Sequence, residues 1–364
     1  MATCVAGVLF RRHCGLAWIV GCNRQQSRNV ATKSKLQMVG KLAPKKDGKY
    51  PSGQLFVHSI FGYRGVVLFP WMAKIYDRDI PGNKKDKLLS KLEASKSKDP
   101  QLNKDPDAES MIKPDTNKEV QAKTQVYYQV LMDFNDLPHI RAESEGVTFL
   151  GNRDQGSSRL YRVVGLDNVS HDDVLPYVSS EIQPIQHDLF DKFLEHAAGN
   201  DPPYMPITTL KEWKTKNHPF LELSEVHRET TENIRVTVTP FYLGAESYEG
   251  KNYHWRYCVR IENLGDKAVQ LRERSWKIFS ISGTLENVKD RGVQGVEPVL
   301  SSIHAGHSAF QYTSHVTLKS PSGHMWGSYR MEREDGIWFD ARIPPFSLES
   351  KEHSNPDPHG GVFG

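Results

Sequence analysis

Four runs near the carboxyl end of the chain decide the fold: GVQGVEPVL at 292–300, HAGHSAFQYTS at 304–314, SGHMWGSYRM at 322–331 and WFDARIPPFSL at 338–348. Each run is short and rich in apolar or aromatic residues, and Gly, Ser and Pro separate it from the next. Such runs, spaced about 8–12 residues apart, are typical of consecutive antiparallel strands in a sandwich or barrel. This part of the sequence therefore predicts one half of a β-sandwich.

Three blocks of this stretch, 292–300, 310–314 and 323–348, resemble the ApaG domain family. The last block closes with the sequence Ile343-Pro344-Pro345-Phe346. The resemblance implies an immunoglobulin-like or fibronectin-like β-sandwich, a module that occurs alone in bacteria and fused to other modules in eukaryotes. We therefore expect residues 224–364 to form such a sandwich.

One glycine-containing run departs from the family pattern. Members of the bacterial ApaG family have a Gly-x-Gly-x-x-Gly run that has been discussed as a phosphate cradle, but here Asp290 stands at its first position, before Gly292 and Gly295. A carboxylate would repel a pyrophosphate, and no helix follows whose N-terminus could receive the anion. We interpret the two glycines as parts of a tight β-turn.

The first 50 residues differ in charge from the rest. They contain ten Lys or Arg and one acid, Asp47, whereas residues 51–364 have a net charge of −6. Such a cationic segment with small and apolar residues predicts a mitochondrial presequence over 1–50. A secretory signal is the alternative, because residues 16–21 form a short apolar core. Arginines on both sides of that core favour the mitochondrial interpretation.

Cysteine usage agrees with an intracellular protein. Cys4, Cys14 and Cys22 fall within the predicted presequence, so Cys258 is the single cysteine of the remaining chain. One cysteine allows neither an internal disulfide nor a cysteine-based zinc site. We expect Cys258 to be a buried strand thiol. No run approaches the roughly 18 apolar residues of a membrane span.

Residues 51–180 predict a first β module. The runs 54–58, 63–69 and 125–131 each have strand composition. The phrase FGYRGVV at 61–67, together with later motifs, resembles the bacterial YccV/HspQ family. Those later motifs are Tyr76-Asp77, Tyr127-Tyr128-Gln129-Val130-Leu131 and Asn168-Val169. The resemblance implies an SH3-like small barrel, associated with hemimethylated DNA and with the delivery of substrates to ATP-dependent proteases.

An insertion at 84–123 interrupts this module. It contains ten lysines, eight acids and three prolines but no aromatic residue. This composition cannot bury a core and predicts a flexible surface loop. Such a loop is either a docking segment for partners or simply tolerated by the fold.

A helical, proline-rich connector is expected at 181–223. Apolar residues at helical spacing predict one helix at 189–198, which the prolines of 201–206 end, and a second helical turn at 210–216. Several aromatic residues make the connector too apolar for a free linker. We expect it to pack across both modules and to give a fairly rigid pair with a groove between them.

No motif of a known catalytic site is present: neither a nucleophile elbow nor a zinc-protease helix nor a phosphate loop. Four histidines, His304, His307, His315 and His324, lie within about twenty residues, but no acidic or thiol ligand has matching spacing. We therefore predict a protein that is not an enzyme and that has no cofactor. The net negative charge after residue 50 predicts no strong direct DNA binding.

Partner-binding residues are predicted from surface chemistry. Trp and Arg dominate interface hot spots, which makes Trp276 with Arg272 and Arg274 the favoured surface anchor. The lysines Lys84, Lys85 and Lys87 of the insertion are further candidates. Exposed edge strands of the sandwich invite an extended partner peptide. The aromatic residues Trp326, Tyr329, Trp338 and Phe346 are interpreted mostly as core.

The order of presequence, barrel, lysine-rich insertion, connector and sandwich resembles the vertebrate family of DNA polymerase delta-interacting proteins. The resemblance implies a monomeric, non-enzymatic adaptor of the mitochondrial matrix and the nucleus. Its implied partners are the small subunit of polymerase delta, PCNA, PrimPol and translesion polymerases, which it would bind and stimulate in DNA damage tolerance and mitochondrial DNA maintenance. Regulation of the ClpX unfoldase in the matrix is the alternative function.

Overall fold

The computed structural model describes residues 39–79, 121–142, 145–146, 149, 163–246 and 251–351. Its regular elements are mostly β-strands, which confirms the expected fold class. No helix within these ranges has the length and apolar character needed to cross a membrane.

The strands are β1 (Lys41–Leu42), β2 (Leu55–His58), β3 (Arg64–Asp77), β4 (Gln121–Met132), β5 (Glu145–Gly146), β6 (Val163–Val164), β7 (Leu166–Ser170), β8 (Val174–Val178), β9 (Leu194–His196), β10 (Tyr204–Pro206), β11 (Ser224–Thr231), β12 (Ile234–Glu246), β13 (Asn252–Asn263), β14 (Val269–Ser280), β15 (Leu285–Arg291), β16 (Val299–Leu300), β17 (Ala309–Leu318), β18 (Ser322–Arg333) and β19 (Trp338–Glu349). The helices are α1 (Phe190–Phe193) and α2 (Thr208–Leu221), with 3-10 turns at Leu137–His139 and His171–Asp173.

The first module has the strand order of an SH3-like barrel. Its ladders run β8-β2-β3-β4-β7, and the 3-10 turn His171–Asp173 leads from β7 directly into β8. No ladder joins β7 to β8 among the described residues, so the sheet curls without closing. The predicted insertion 84–123 lies outside the described residues except for its last three positions, which belong to β4.

The segment before the barrel belongs to the fold. Lys41 and Leu42 pair with Val178 and Tyr177 of β8. Tyr50 is 1% exposed in the barrel core, and its backbone N–H donates to the Tyr128 hydroxyl at 3.0 Å. The presequence bound at residue 50 stays a prediction; cleavage there would remove a strand and a buried aromatic side chain of this fold.

The connector contains less helix at its start and more at its end than expected. Helix α1 stops at Phe193, and the chain continues as β9, which pairs with β10. Helix α2 extends beyond the predicted turn, with buried residues Leu210, Asn217, Phe220 and Leu221 on one face. The Trp213 indole N–H of this helix donates to the Gln129 side-chain oxygen at 2.8 Å and holds the helix against the barrel.

Two sheets form the second module. Strands β11, β12, β13 and β17 pair in that order, and β15, β14, β18 and β19 form the opposing sheet, with β16 also on β14. Alternate residues of both sheets point into one core around Trp255, Tyr257, Trp276, Tyr329 and Phe346. This is the expected sandwich.

The two modules share one sheet. The second half of β3 pairs in parallel with β11, from Ala73 opposite Ser224 to Asp77 opposite Arg228. The barrel strands and the first sandwich sheet thereby become a single ten-stranded sheet. Backbone hydrogen bonds, and not only side-chain packing, fix the modules relative to each other.

The space between the modules is smaller than the expected groove. Strand β7 lies over β12, β13 and β17, and the cavity between them measures about 40 Å³. Asp167, Thr237, Arg256 and Gln311 are among its lining residues. This volume admits only a few water molecules, so it cannot hold a protein segment.

Candidate interaction surface

Trp276 is buried and does not form a surface anchor. Its side chain is 1% exposed and packs edge-on against Tyr257 at 5.4 Å and Phe346 at 6.1 Å between ring centroids. The prediction was wrong because alternate residues of β14 face opposite sides, and Trp276 points inward together with Ile278. The apolar pair two residues apart was the available sequence signal.

Arg274 is also part of the interior. Its side chain is 7% exposed, and Nη2 donates to the Asp290 carboxylate at 2.7 Å. Burial disfavours the charged guanidinium, but the hydrogen bond that Arg274 donates to Asp290 helps to offset this, and the pKa of Arg274 is raised. The arginine therefore ties β14 to β15 instead of contacting a partner.

Arg272 is the one residue of the predicted trio on the surface. It follows the buried Leu271 on the outer face and is the extra residue of a β-bulge between Leu271 and Glu273. Its Nε donates to Glu332 at 2.6 Å and its Nη1 to Glu297 at 2.7 Å. The hydrogen bond from Arg272 to Glu297, with one from Arg291, lowers the pKa of Glu297. Arg272, Glu297 and Glu332 form a fixed charge network on the outer face of the sheet.

The glycines near this network form a turn, as expected. Gly292 and Gly295 have φ angles of +61° and +81°, and Val293 and Val296 form an isolated bridge between them. A Cβ at Gly292 would lie 2.2 Å from the Val296 carbonyl oxygen, so only glycine fits. Asp290 is bound to Arg274 as described above, which leaves this turn without the features of a phosphate site.

Trp338 is the exposed tryptophan that the sequence interpretation missed. It is 45% exposed at the start of β19, and the Arg330 guanidinium lies 5.7 Å from its ring centroid. Arg330 also binds Asp340 at 3.2 Å. Tyr329 and Phe346 are buried as expected, whereas Trp326 is half-buried. The alternation Trp338-Phe339-Asp340-Ala341, in which Phe339 and Ala341 are buried, was the signal for exposure.

The outer face of the second sheet thus presents one aromatic ring among charged side chains. Arg272, Arg330 and Trp338 are fixed by neighbouring strands, with Glu332 directly opposite Trp338 in the ladder. Exposed Trp and Arg residues held in place are characteristic of protein-binding hot spots. The arrangement suits recognition of another protein.

The other predicted residues are dispersed or lie elsewhere. Lys84, Lys85 and Lys87 lie outside the described residues. Among the residues that the structure describes, no group of three or more His, Cys, Asp or Glu could hold a metal ion; this includes His304 and His307, which lie in a loop, His315 on β17 and His324 on β18. Cys258 is half-buried on β13, and burial raises the pKa of its thiol well above the ordinary range, which disfavours the reactive thiolate.

A polar cluster that sequence reasoning missed joins the modules. Arg260 of β13 binds Asp173 of the 3-10 turn at 2.8 Å and lies 3.4 Å from Glu262. Burial raises the pKa of the Asp173 carboxyl, but the charges of Arg260 and His58 and the hydrogen bonds from Arg260 and Ser170 together outweigh burial and leave the pKa well below its ordinary value. The Gln311 amide donates to Asp167 at 3.3 Å nearby. No spacing in the sequence indicates these contacts.

Comparison with known proteins covers both modules. Residues 245–333 match the ApaG domain family. The chain is 46% identical over 132 residues to Protein ApaG of Paramagnetospirillum magneticum, covering 36% of this chain and 98% of that protein. It is 53% identical over 338 residues to Polymerase delta-interacting protein 2 of mouse, and equally to that of human, covering 92% of this chain and 85% of either relative. The chain belongs to the family of polymerase delta-interacting protein 2.

Proposed function

We propose that this chain is a non-enzymatic adaptor that binds DNA polymerase delta. The observation that carries this proposal is the 53% identity to polymerase delta-interacting protein 2 over 338 residues, because it spans both modules and not the ApaG-like part alone. The fixed surface around Arg272, Arg330 and Trp338 supports a protein-binding role. The identity of the partner as polymerase delta is taken from the name of these relatives.

The finer proposal concerns partners and place. The adaptor contacts the small subunit of polymerase delta, acts with PCNA, and stimulates PrimPol and translesion polymerases in DNA damage tolerance and mitochondrial DNA maintenance. It works as a monomer in the mitochondrial matrix and in the nucleus. The cationic amino-terminal segment supports import into the matrix. The excess of acids after residue 50 supports contact with proteins and not with DNA directly.

Regulation of the ClpX unfoldase is the second candidate function. The strand order β8-β2-β3-β4-β7, with a 3-10 turn before β8, supports it, because this is the architecture expected from the YccV/HspQ resemblance. In this case the first module would carry the activity. The sandwich would then serve another partner or stabilise the barrel through the shared sheet.

Binding measurements with the full chain separate the two functions. The chain is titrated in parallel with the small subunit of polymerase delta and with ClpX at physiological salt. Micromolar or tighter affinity for the polymerase subunit, with or without ClpX, is the expected result. Binding to ClpX alone would overturn the polymerase proposal and leave a matrix proteolysis factor.

A further inference from the structure

One row of side chains crosses the outer face of the second sheet. Lys289 of β15 lies opposite Ser275 of β14, Ser275 lies opposite Ser328 of β18, and Ser328 lies opposite Arg342 of β19. Residues opposite each other in a ladder share a face, and the exposure pattern places all four on the outer side. We call these four residues the serine row.

The serine row is a shallow trough between two cations. Ser275 and Ser328 have short, half-buried side chains, while Lys289 and Arg342 are long and exposed at the two ends. Lys289 has no ion pair with a described residue. Arg342 is 45% exposed, and its guanidinium lies 3.7 Å from Glu229, a distance too long for a strong hydrogen bond. Both cations can therefore accept a further anionic partner.

A third cation and an aromatic ring border the trough on one side. Lys277 of β14 lies opposite Trp326 of β18 in the adjacent row of the outer face. Lys277 is exposed and, like Lys289, has no ion pair with any residue that the structure describes. The ring of Trp326 is half-buried and offers apolar contact beside the charge.

Acids and arginines alternate in the row on the other side of the trough. In that row Arg291 lies opposite Glu273, Glu273 lies opposite Arg330, and Arg330 lies opposite Asp340. Arg330 is paired with Asp340 at 3.2 Å and Arg291 with Glu297, so neither arginine is a further unpaired cation for the ligand. The excess of acids after residue 50 favours a short acidic segment of a protein over a nucleic acid backbone.

The spacing of the cations selects the conformation of the ligand. Three interstrand gaps of about 4.8 Å separate the backbone position of Lys289 from that of Arg342, so the two backbone positions are about 14 Å apart. An extended peptide rises about 3.4 Å per residue, so its side chains at positions i and i+4 lie about 14 Å apart on the same side. Acidic residues at positions i and i+4 therefore reach the two ends of the trough, and the side chain at position i+2 lies over the serines.

We propose that the serine row, with Lys277, is a docking site for a short extended segment of a partner protein that carries two acidic residues four positions apart. The segment crosses the strands of the sheet, pairs one carboxylate with Lys289 and the other with Arg342, and packs against Trp326. This inference deepens the proposed adaptor function, since it names the chemistry that one partner presents.

A labelled peptide with the core Glu-Thr-Ser-Thr-Glu tests the proposal, with Gln-Thr-Ser-Thr-Gln as its uncharged counterpart. Fluorescence anisotropy with the full chain should show binding of the first peptide only, weakened by added salt. The double variant Lys277→Glu with Lys289→Glu should weaken binding by about tenfold or more. Arg342→Gln should weaken it by a smaller factor, because it removes one end of the site without reversing its charge.

The matched control is Lys211→Glu with Lys214→Glu on α2, where both lysines are exposed. It makes the same change in net charge on a different surface and should leave peptide binding unchanged. Equal loss in both double variants would overturn the proposal, because it would show a general charge effect. Unfolding midpoints equal to that of the wild type establish that the variants are folded.

Two further outcomes would overturn the inference. One is failure of the acidic peptide to bind while the full chain binds polymerase delta, a result that leaves the adaptor function intact. The other is tighter binding of a single-stranded oligothymidylate than of the peptide, lost in the same Lys277/Lys289 variant, which would assign the face to nucleic acid.

Discussion

Trp276 and Trp338 occupy opposite faces of the same sheet, and their surroundings give them different roles. Trp276 fills the sandwich core between Tyr257 and Phe346, whereas Trp338 lies on the surface beside Arg330. Sequence reasoning chose the first tryptophan as the contact residue and assigned the second mostly to the core. The direction of each side chain depends on its place in the alternation of inward and outward residues along the strand. The bulge at Arg272 shifts this alternation within β14.

Stability measurements on the two tryptophans should therefore differ. Trp276→Ala removes a buried ring and is expected to lower the free energy of unfolding by about 3–5 kcal/mol. Trp338→Ala removes an exposed ring with one cation–π contact and should cost less than about 1 kcal/mol. Guanidinium unfolding of both variants measures these values. Similar losses in the two variants would contradict the assignment of faces.

The Asp173–Arg260 pair predicts a pH dependence of stability. The folded-state pKa of Asp173 lies below its unfolded value of about 3.9, so the carboxylate stabilises the fold above that pH and loses this contribution as the pH falls below it. Asp173→Asn should lower the free energy of unfolding by about 3 kcal/mol at neutral pH, because it leaves Arg260 buried without this partner.

Urea unfolding of the wild type and Asp173→Asn over a series of pH values checks this sign. The difference between the two proteins should be constant near neutral pH and should shrink below about pH 4. Asp172→Asn is the matched control, because Asp172 is exposed in the same 3-10 turn. A difference for Asp173→Asn that grows in acid would show that the carboxylate does not stabilise the folded state through its charge.

At the scale of elements, the segment from β1 to Tyr50 acts as an extra edge of the barrel. Tyr50 stacks on His171 at 5.0 Å between ring centroids, and the Tyr128 hydroxyl, which accepts the Tyr50 N–H, is 2.8 Å from His171 Nδ1. His171 Nε2 lies 3.1 Å from the Lys46 carbonyl oxygen, which can only accept, so the Nε2–H group donates to it. One connected set of hydrogen bonds thus anchors this segment.

Truncation tests this anchoring. Two truncated chains are compared by denaturant unfolding, one that begins at Val39 and one that begins at Pro51. A chain that begins at Pro51 should lose about 3 kcal/mol or more, since it lacks the buried Tyr50 ring and the β1 pairing. Lys49→Ala, a change on the exposed side of the same segment, should be nearly neutral. Equal stability of the two truncated chains would disprove a structural role.

At the scale of the whole molecule, the shared sheet makes the two modules interdependent. The β3–β11 ladder runs from Ala73 and Ser224 to Asp77 and Arg228. Lys351, after β19, donates to the carbonyl oxygens of Phe220 and Glu222 at 3.3 Å and 3.2 Å and thereby holds the end of α2. The connector is therefore joined to the sandwich twice, by the chain where α2 leads into β11 and by Lys351 after β19.

Calorimetry checks this interdependence. We expect a single thermal transition with a ratio of calorimetric to van 't Hoff enthalpy of about 1, because opening either module breaks the common ladder. Two resolved transitions, or a ratio well above about 1, would show that the ladder does not couple the modules.

Much of this architecture can be predicted from the residues alone. The punctuated aromatic runs indicate the strands of the sandwich, and the pattern of 54–58, 63–69 and 125–131 indicates those of the barrel. Arg272 lies on the surface as predicted, whereas Trp276 and Arg274 are buried and Trp338 was overlooked as a surface residue. Each error assigns a side chain to the wrong face of its strand. A single bulge, or a mistake about which alternate residues are buried, is enough to cause such an error.

The sequence by itself determined that the chain forms a β-barrel-like module followed by a sandwich, because alternation and turn residues act locally and specify each strand. Only the tertiary structure decided that β3 and β11 become neighbours, that Arg260 reaches Asp173, and that Lys289, Ser275, Ser328 and Arg342 align in one row. The reason is physical. Alternation defines which face of a strand is buried but not which strand lies beside it, since every strand offers the same kind of backbone donors and acceptors to any neighbour.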